Sequence, residues 1–105
     1  GTGQVTFAAR DSDYDGHNIT AGEILALENG KLSFVEKDLE KSVYKLTKSM
    51  VRKDSSFVTL IYGADVTDDQ AESAVGLLRS KLNPNLEISL INGGQPVYYY
   101  MISVE

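Results

Sequence analysis

The chain has 105 residues, the usual size of one domain, and its hydrophobic content of 42% is typical of a folded protein. A net charge of −5 at pH 7 disfavours binding to nucleic acid or to anionic membrane surfaces. The absence of cysteine excludes disulfides, thiolate metal sites and a cysteine nucleophile, and it fits a cytoplasmic location. No apolar run is long enough for membrane insertion. We therefore expect a single domain over residues 1–105.

The first half of the chain predicts three strands. Residues 4–10 alternate in polarity, with Val5, Phe7 and Ala9 on one face, and a turn-rich loop, DSDYDGHN, follows. The next stretch predicts a hairpin, because Asn29-Gly30 can supply the two positive-φ positions of a type I′ turn. The strands of that hairpin are expected at 24–28 and 31–35.

Two helices are predicted from their caps and their apolar spacing. Asp38 is a typical N-cap for the first helix. Thr67 and Gln70 form a capping box for the second helix, and Pro84 ends it. The predicted buried residues are Leu39, Val43, Leu46 and Met50 in the first helix, and Ala71, Ala74, Val75, Leu78 and Leu82 in the second.

The second half predicts three more strands. FVTLIY at 57–62 carries no charge, which favours a central strand covered on both faces. Residues 86–90 alternate in polarity, and a last strand is predicted from Val97 to Val104. The order β-ββ-α-β-α-β-β predicts an α/β fold in which two main helices pack on a mixed β-sheet, in two or three layers.

The loop after the first strand resembles the opening of a calcium loop, D-x-D-x-D-G, with Asp11, Asp13 and Asp15 as weak metal candidates. The match fails at the twelfth position, which is Gly22 instead of glutamate. His17 is the one histidine of the chain, so a second imidazole cannot join it in a metal site. A turn rich in Asp and Gly is therefore favoured over a cation site.

The loop from Tyr62 to Thr67 connects a strand to a helix, where α/β folds often bind phosphate. Here Asp65, Asp68 and Asp69 lie at the positive end of the helix dipole and would repel a phosphate. The nucleotide-binding and nucleophile-elbow motifs are also missing from the sequence. These residues do not form a complete catalytic site.

The closing segment, INGGQPVYYYMISVE, combines a glycine turn with three tyrosines. Alternation places Tyr98 and Tyr100 on one face, where we expect them to be core, and Tyr99 on the other face, where it is a candidate for partner contact. Gly93-Gly94 predicts a tight turn, although paired glycines also permit backbone amides to approach an anion. The candidates for partner or ligand binding are Asn92, Gly93, Gly94, Gln95, Tyr99, Tyr62 and Asp65.

Three stretches of the sequence resemble a known family. SFVTLIYGADVTDDQAE at 56–72 and NGGQPVYYYMISVE at 92–105 resemble the C-terminal end of the ATP-binding subunit of bacterial fatty acid kinase, a dihydroxyacetone-kinase-like (DhaL or DAK family) protein. GQVTFAARDSDYDGHNITAGEILALENGKL at 3–32 resembles the upstream part of the same region, although its acidic loop departs from the usual spacing. The resemblance runs from Gly3 to Glu105.

The resemblance implies that the chain is the C-terminal fragment of a longer kinase subunit that acts in phospholipid metabolism. It implies that ATP and magnesium are bound outside these residues, so that the fragment has no cofactor and is not catalytic alone. It also implies docking to a DegV-like acyl-binding subunit, which presents a fatty acid for phosphorylation. The alternatives are that the domain itself binds a small acyl or glycerone-like ligand and takes part in the reaction, or that it serves as an oligomerisation module, for example in a homodimer.

Overall fold

The structure is a computed structural model in which residues 1–14 and 16–105 are described. Its helices are α1 (Leu39–Met50) and α2 (Asp68–Lys81). Its strands are β1 (Thr2–Phe7), β2 (Ser12–Tyr14), β3 (His17–Ile19), β4 (Ile24–Glu28), β5 (Lys31–Glu36), β6 (Phe57–Tyr62), β7 (Glu87–Asn92) and β8 (Tyr100–Val104). The predicted α/β class and order of main elements are confirmed, and β2 and β3 add a short hairpin within the predicted turn-rich loop.

The main sheet has six strands in the order β5-β4-β1-β8-β6-β7. Strands β6 and β7 are parallel and are joined through α2, whereas the other neighbouring pairs are antiparallel. The sheet is therefore mixed, as predicted. Because β8 lies between β1 and β6, the last strand joins the two halves of the chain.

The local signals that define the hairpin and the helices are confirmed. Asn29 and Gly30 have φ values of 52° and 82°, as a type I′ turn requires. An Asp38 side-chain oxygen accepts a hydrogen bond from the Lys41 amide at 3.0 Å, so Asp38 caps α1. Thr67 and Gln70 form the capping box of α2, with hydrogen bonds of 3.1 and 2.9 Å.

Both helices pack on one face of the main sheet and on each other. The predicted apolar stripes are buried there, although Leu39 and Leu82 are only partly buried. The opposite face is different: Phe57, Ile91 and Met101 are 51%, 48% and 37% exposed. The prediction that β6 is covered on both faces is therefore wrong for the described residues, because only its alternate residues Val58, Leu60 and Tyr62 face the helices.

The ends of two predicted strands also differ from the structure. Regular pairing of β1 stops at Phe7, which is 37% exposed, and the alternation breaks after it because Ala8 is buried and Ala9 is exposed. At the last strand, the Tyr98 amide donates to the Pro96 carbonyl oxygen at 2.8 Å, which gives a γ-turn centred on Val97 with φ of 72°. This turn delays β8 to Tyr100.

The delayed start of β8 divides the two tyrosines that alternation had assigned to the core. Tyr100 is 1% exposed and belongs to the core, as predicted. Tyr98 lies before the strand and is only partly buried, so its prediction was wrong. Among the described residues, neither helix is long and apolar enough to cross a membrane.

Candidate functional site

Several chain ends meet at one edge of the main sheet, which we call the carboxyl edge and define as residues 62–68 and 92–100. The parallel strands β6 and β7 both end there, and β8 begins there. In open α/β sheets, ligands bind outside the carboxyl ends of the strands. The carboxyl edge is therefore the first place to look for a site.

The two segments of the carboxyl edge are held together by their backbones. The Gly63 amide donates to the Tyr99 carbonyl oxygen, and the Ala64 amide donates to the Gln95 carbonyl oxygen, both at 2.9 Å. The Gln95 side-chain amide donates to the carbonyl oxygens of Ile61 at 3.1 Å and of Tyr98 at 3.3 Å. The structure thus brings Gln95 and Tyr99 against the Tyr62 loop, although they lie some thirty residues away in sequence.

The predicted glycine turn is packed against the end of β6. The amides of Gly93 and Gly94 both donate to the Tyr62 carbonyl oxygen, at 2.9 and 3.2 Å. A Cβ on Gly93 would collide with the side chains of Gln95 and Ile61, and Gly94 has a positive φ of 65°. The two amides are engaged within the chain, which argues against their use as donors to an anionic ligand.

The remaining predicted contact residues are more accessible. Asp65 and Asn92 are exposed at the carboxyl edge. Tyr99 is partly buried, and its ring centroid lies 5.7 Å from that of Phe7 with the planes tilted by 48°. Val97 is 55% exposed, and its carbonyl oxygen accepts a hydrogen bond from the Thr6 hydroxyl at 2.8 Å. Tyr99 therefore lies at the border between core and surface.

Two tyrosines face the helices at the same edge, because Tyr62 of β6 pairs with Tyr100 of β8. The Tyr62 hydroxyl donates to an Asp68 carboxylate oxygen at 2.5 Å, and this hydrogen bond is the main cause of a raised pKa for Tyr62. Burial, followed by the charge of Glu40 and then by Tyr62, raises the pKa of Tyr100 to about 12. Both side chains are therefore neutral phenols at pH 7.

A cavity of about 400 Å³, here called the helix-end cavity, lies between the N-terminal turns of α1 and α2. The Ser73 hydroxyl donates to a Glu40 carboxylate oxygen at 2.9 Å and connects the two helices beside it. Its lining residues are Asp38, Leu39, Glu40, Asp69, Gln70, Ser73 and Tyr100.

Sequence reasoning did not assemble this cavity, because its lining comes from three separate segments. It treated Tyr100 as core and Asp38 as a cap, which are both correct but incomplete. The available signal was that two helix N-termini and a strand-end tyrosine would meet at one edge if β8 lay beside β6. That neighbour relation was not predictable from local patterns.

The whole chain, residues 1–105, matches the FakA-like C-terminal family, which comprises the C-terminal regions of fatty acid kinase subunits. The chain belongs to this family. The resemblance found in the sequence is thereby confirmed at the level of the family, and the fold and the carboxyl edge described above are those of a FakA-like C-terminal domain.

Relatives of this FakA-like domain are found in staphylococci and Bacillus. The chain is 40% identical over 104 residues to the protein SH1689 of Staphylococcus haemolyticus and 33% identical to the protein YloV of Bacillus subtilis. It is 31% identical to the protein SAB1090 of Staphylococcus aureus. Each match covers 99% of this chain but 19% of the relative, so the chain spans about a fifth of the length of these curated relatives.

The acidic loop of the FakA-like domain lies away from the carboxyl-edge residues and shows no clustered ligand set. An Asp11 carboxylate oxygen accepts a hydrogen bond from the Ala21 amide at 2.8 Å, and Asp13 lies in β2. Asp15 falls outside the described residues. Across residues 1–14 and 16–105, no group of three or more His, Asp or Glu side chains is placed to hold a metal ion.

Proposed function

We propose that this FakA-like domain is a non-catalytic docking module of a fatty acid kinase subunit. It binds a DegV-like acyl-binding subunit so that the fatty acid carboxylate can be phosphorylated by ATP bound elsewhere in the kinase. The family membership supports a fatty acid kinase subunit that works with other subunits. The observation that carries the docking role is the uncovered apolar face of the sheet.

Three apolar side chains form a row across neighbouring strands of that face, which we call the apolar row: Ile91, Ile61 and Met101. Ile61 pairs with Ile91 on one side and with Met101 on the other. Ile91 and Met101 are 48% and 37% exposed. Parallel strands are normally covered on both faces, so an exposed row across the parallel pair β6–β7 favours cover by another protein surface.

The candidates named from the sequence border this row. Gln95 donates to the carbonyl oxygen of Ile61, and Gly93 lies close against the Ile61 side chain. Tyr99 lies two residues before Met101. A partner seated on the apolar row would therefore reach the glycine turn and Tyr99 as well.

We assign ATP and magnesium to the remainder of the kinase polypeptide, because the relatives extend well beyond the 19% of their length that this chain matches. In this scheme the domain contributes position and not chemistry. The engaged amides of Gly93 and Gly94 support that assignment, since they are not free to bind a phosphate or carboxylate.

Calorimetric titration of this chain into its cognate DegV-like acyl-binding protein tests the proposal. We expect a complex that Ile91→Ser weakens by about tenfold or more, because exposed apolar anchors dominate such interfaces. Leu77→Ser is the matched control, since Leu77 is a partly buried residue of α2, on the other side of the sheet. Tyr99→Ala should likewise weaken binding more than Lys45→Ala. Absence of a complex, or equal effects of Ile91→Ser and Leu77→Ser, would contradict the proposal.

Two further measurements separate the alternatives. Light scattering on this chain should give a monomer; a dimer that Ile91→Ser dissociates would assign the apolar row to oligomerisation instead. Incubation of the chain with ATP, magnesium and a fatty acid should give no acyl phosphate. Phosphotransfer by this chain alone would overturn the non-catalytic role.

A further inference from the structure

The hydroxyl of Tyr100 faces the helix-end cavity without a hydrogen-bond partner among the described residues. The side chain is 1% exposed, and it is nevertheless one of the residues that line the cavity. The forces that act on its ionisation are burial and the nearby Glu40 and Tyr62, and none of them is a hydrogen bond. A buried hydroxyl normally has a partner, so this one favours a polar ligand in the cavity.

The charge around the cavity is negative. Asp38, Glu40 and Asp69 supply three carboxylates, and none of the lining residues is basic. Each helix N-terminus supplies a partial charge of only about +0.5, so the two ends together do not offset the carboxylates. The cavity therefore favours a cation over the anion that helix N-termini usually attract.

The backbone donors that would bind an anion are in part already used. The Lys41 amide donates to Asp38, and the Gln70 amide donates to Thr67. One Glu40 oxygen accepts from Ser73, which leaves the second oxygen of that carboxylate for another donor. The unused groups at the cavity are mainly acceptors, and the Tyr100 phenol oxygen is one of them.

We propose that the helix-end cavity binds a guanidinium or ammonium group, such as the end of an arginine or lysine side chain presented by another protein. The cation donates to the Tyr100 phenol oxygen at the floor and to the carboxylates of Glu40 and Asp69 at the mouth. Tyr100 in turn directs its proton to a neighbouring carboxylate. The site stands independently of the docking role assigned to the apolar row, because it lies on the helix side of the sheet.

The first test uses methylguanidinium as the probe, with amide chemical shifts of the chain recorded by NMR. We expect shifts at 38–40 and 69–73, a dissociation constant on the order of 1–10 mM and weaker binding as salt rises. Tyr100→Phe and Glu40→Gln should each weaken binding at least about threefold. Tyr99→Phe and Glu87→Gln are the matched controls, since both residues lie outside the cavity lining and should leave binding unchanged.

Several results would overturn the proposal. One is the absence of shifts at 38–40 and 69–73 with methylguanidinium, and another is shifts there with inorganic phosphate instead. Equal effects of Tyr100→Phe and Tyr99→Phe would also do so. If Tyr100→Phe fails to fold, Glu40→Gln against Glu87→Gln decides the question alone.

A second arm identifies the source of the cation. Tyr100→Phe and Glu40→Gln are titrated into the acyl-binding subunit beside the wild-type chain. A weaker complex supports a basic side chain of that partner. An unchanged complex together with methylguanidinium binding refutes that partner as the source and supports a free amine or a different protein. Failure of the wild-type chain to form any complex counts against the docking role, while the probe titration still decides the cavity.

Discussion

Gly63 is the position where the carboxyl edge has the least room for a side chain. A Cβ at Gly63 would lie 2.7 Å from the Gln95 carbonyl oxygen and closer still to that of Tyr98, and both are backbone atoms that cannot rotate away. Gly63→Ala must therefore push the 95–99 segment outward and strain the two 2.9 Å hydrogen bonds that join it to residues 63 and 64. Overpacking costs about 1–3 kcal/mol and each weakened bond about 0.5–1.5 kcal/mol, so we expect a loss of roughly 2–4 kcal/mol in the free energy of unfolding.

Urea unfolding followed by circular dichroism measures this loss, and Gly76→Ala is the control. Gly76 lies in α2 with nothing within 4 Å of an added Cβ, so the same substitution should stabilise the helix by about 0.5–1 kcal/mol. The two variants make an identical chemical change with opposite expected signs. A Gly63→Ala variant as stable as the wild type would refute the close packing of the carboxyl edge.

Three further predictions concern single side chains. Thr47 is fully buried with a hydroxyl that has no partner among the described residues, so Thr47→Val should raise stability by about 1 kcal/mol in urea unfolding, whereas a loss would reveal a hidden partner. Asp38→Ala removes the N-cap of α1 and should cost about 1 kcal/mol, with exposed Asp54→Ala as a neutral control. Because the pKa of Tyr100 is raised from 10 to about 12, the folded chain holds this proton longer than the unfolded chain. Its contribution, about 1–2 kcal/mol once solvent access is allowed for, is complete below pH 10 and is lost as the pH rises toward 12. An ultraviolet titration should show one late phenol that Tyr100→Phe removes, and an unchanged titration would contradict this assignment.

The parts of the fold that sequence predicted are those fixed by residues close together in the chain. Asn29-Gly30, Asp38 and the Thr67–Gln70 box each act within four residues, and each appears in the structure as expected. Strand order depends on contacts between distant segments, for which no local rule exists. The place of β8 between β1 and β6 was therefore not predictable.

The errors have equally specific causes. The apolar content of FVTLIY indicates a strand that gains from burial, but it cannot say whether the second face is covered by the same chain or by a partner. The late start of β8 follows from a positive φ at Val97, a conformation that a β-branched residue rarely adopts and that no local pattern indicates. The same turn moved Tyr98 out of the face it would share with Tyr100. The helix-end cavity required all three segments to be placed before it existed as a site.

The two surfaces proposed for binding are connected through the end of one strand. Alternation along β6 directs Ile61 to the apolar row and Tyr62 to the helix side, where it pairs with Tyr100. The carbonyl oxygens of both residues accept hydrogen bonds from the 93–95 turn, so the turn fixes the two surfaces relative to each other. A partner that reached over the carboxyl edge would bury apolar area on one face and place a cation on the other. Apolar burial would then supply most of the affinity, and the charged contact would fix the orientation of the partner, which is the role that interface charges usually have. This arrangement also explains why an acidic domain can carry an exposed apolar row with little risk of self-association, since like charges at the edge repel a second copy.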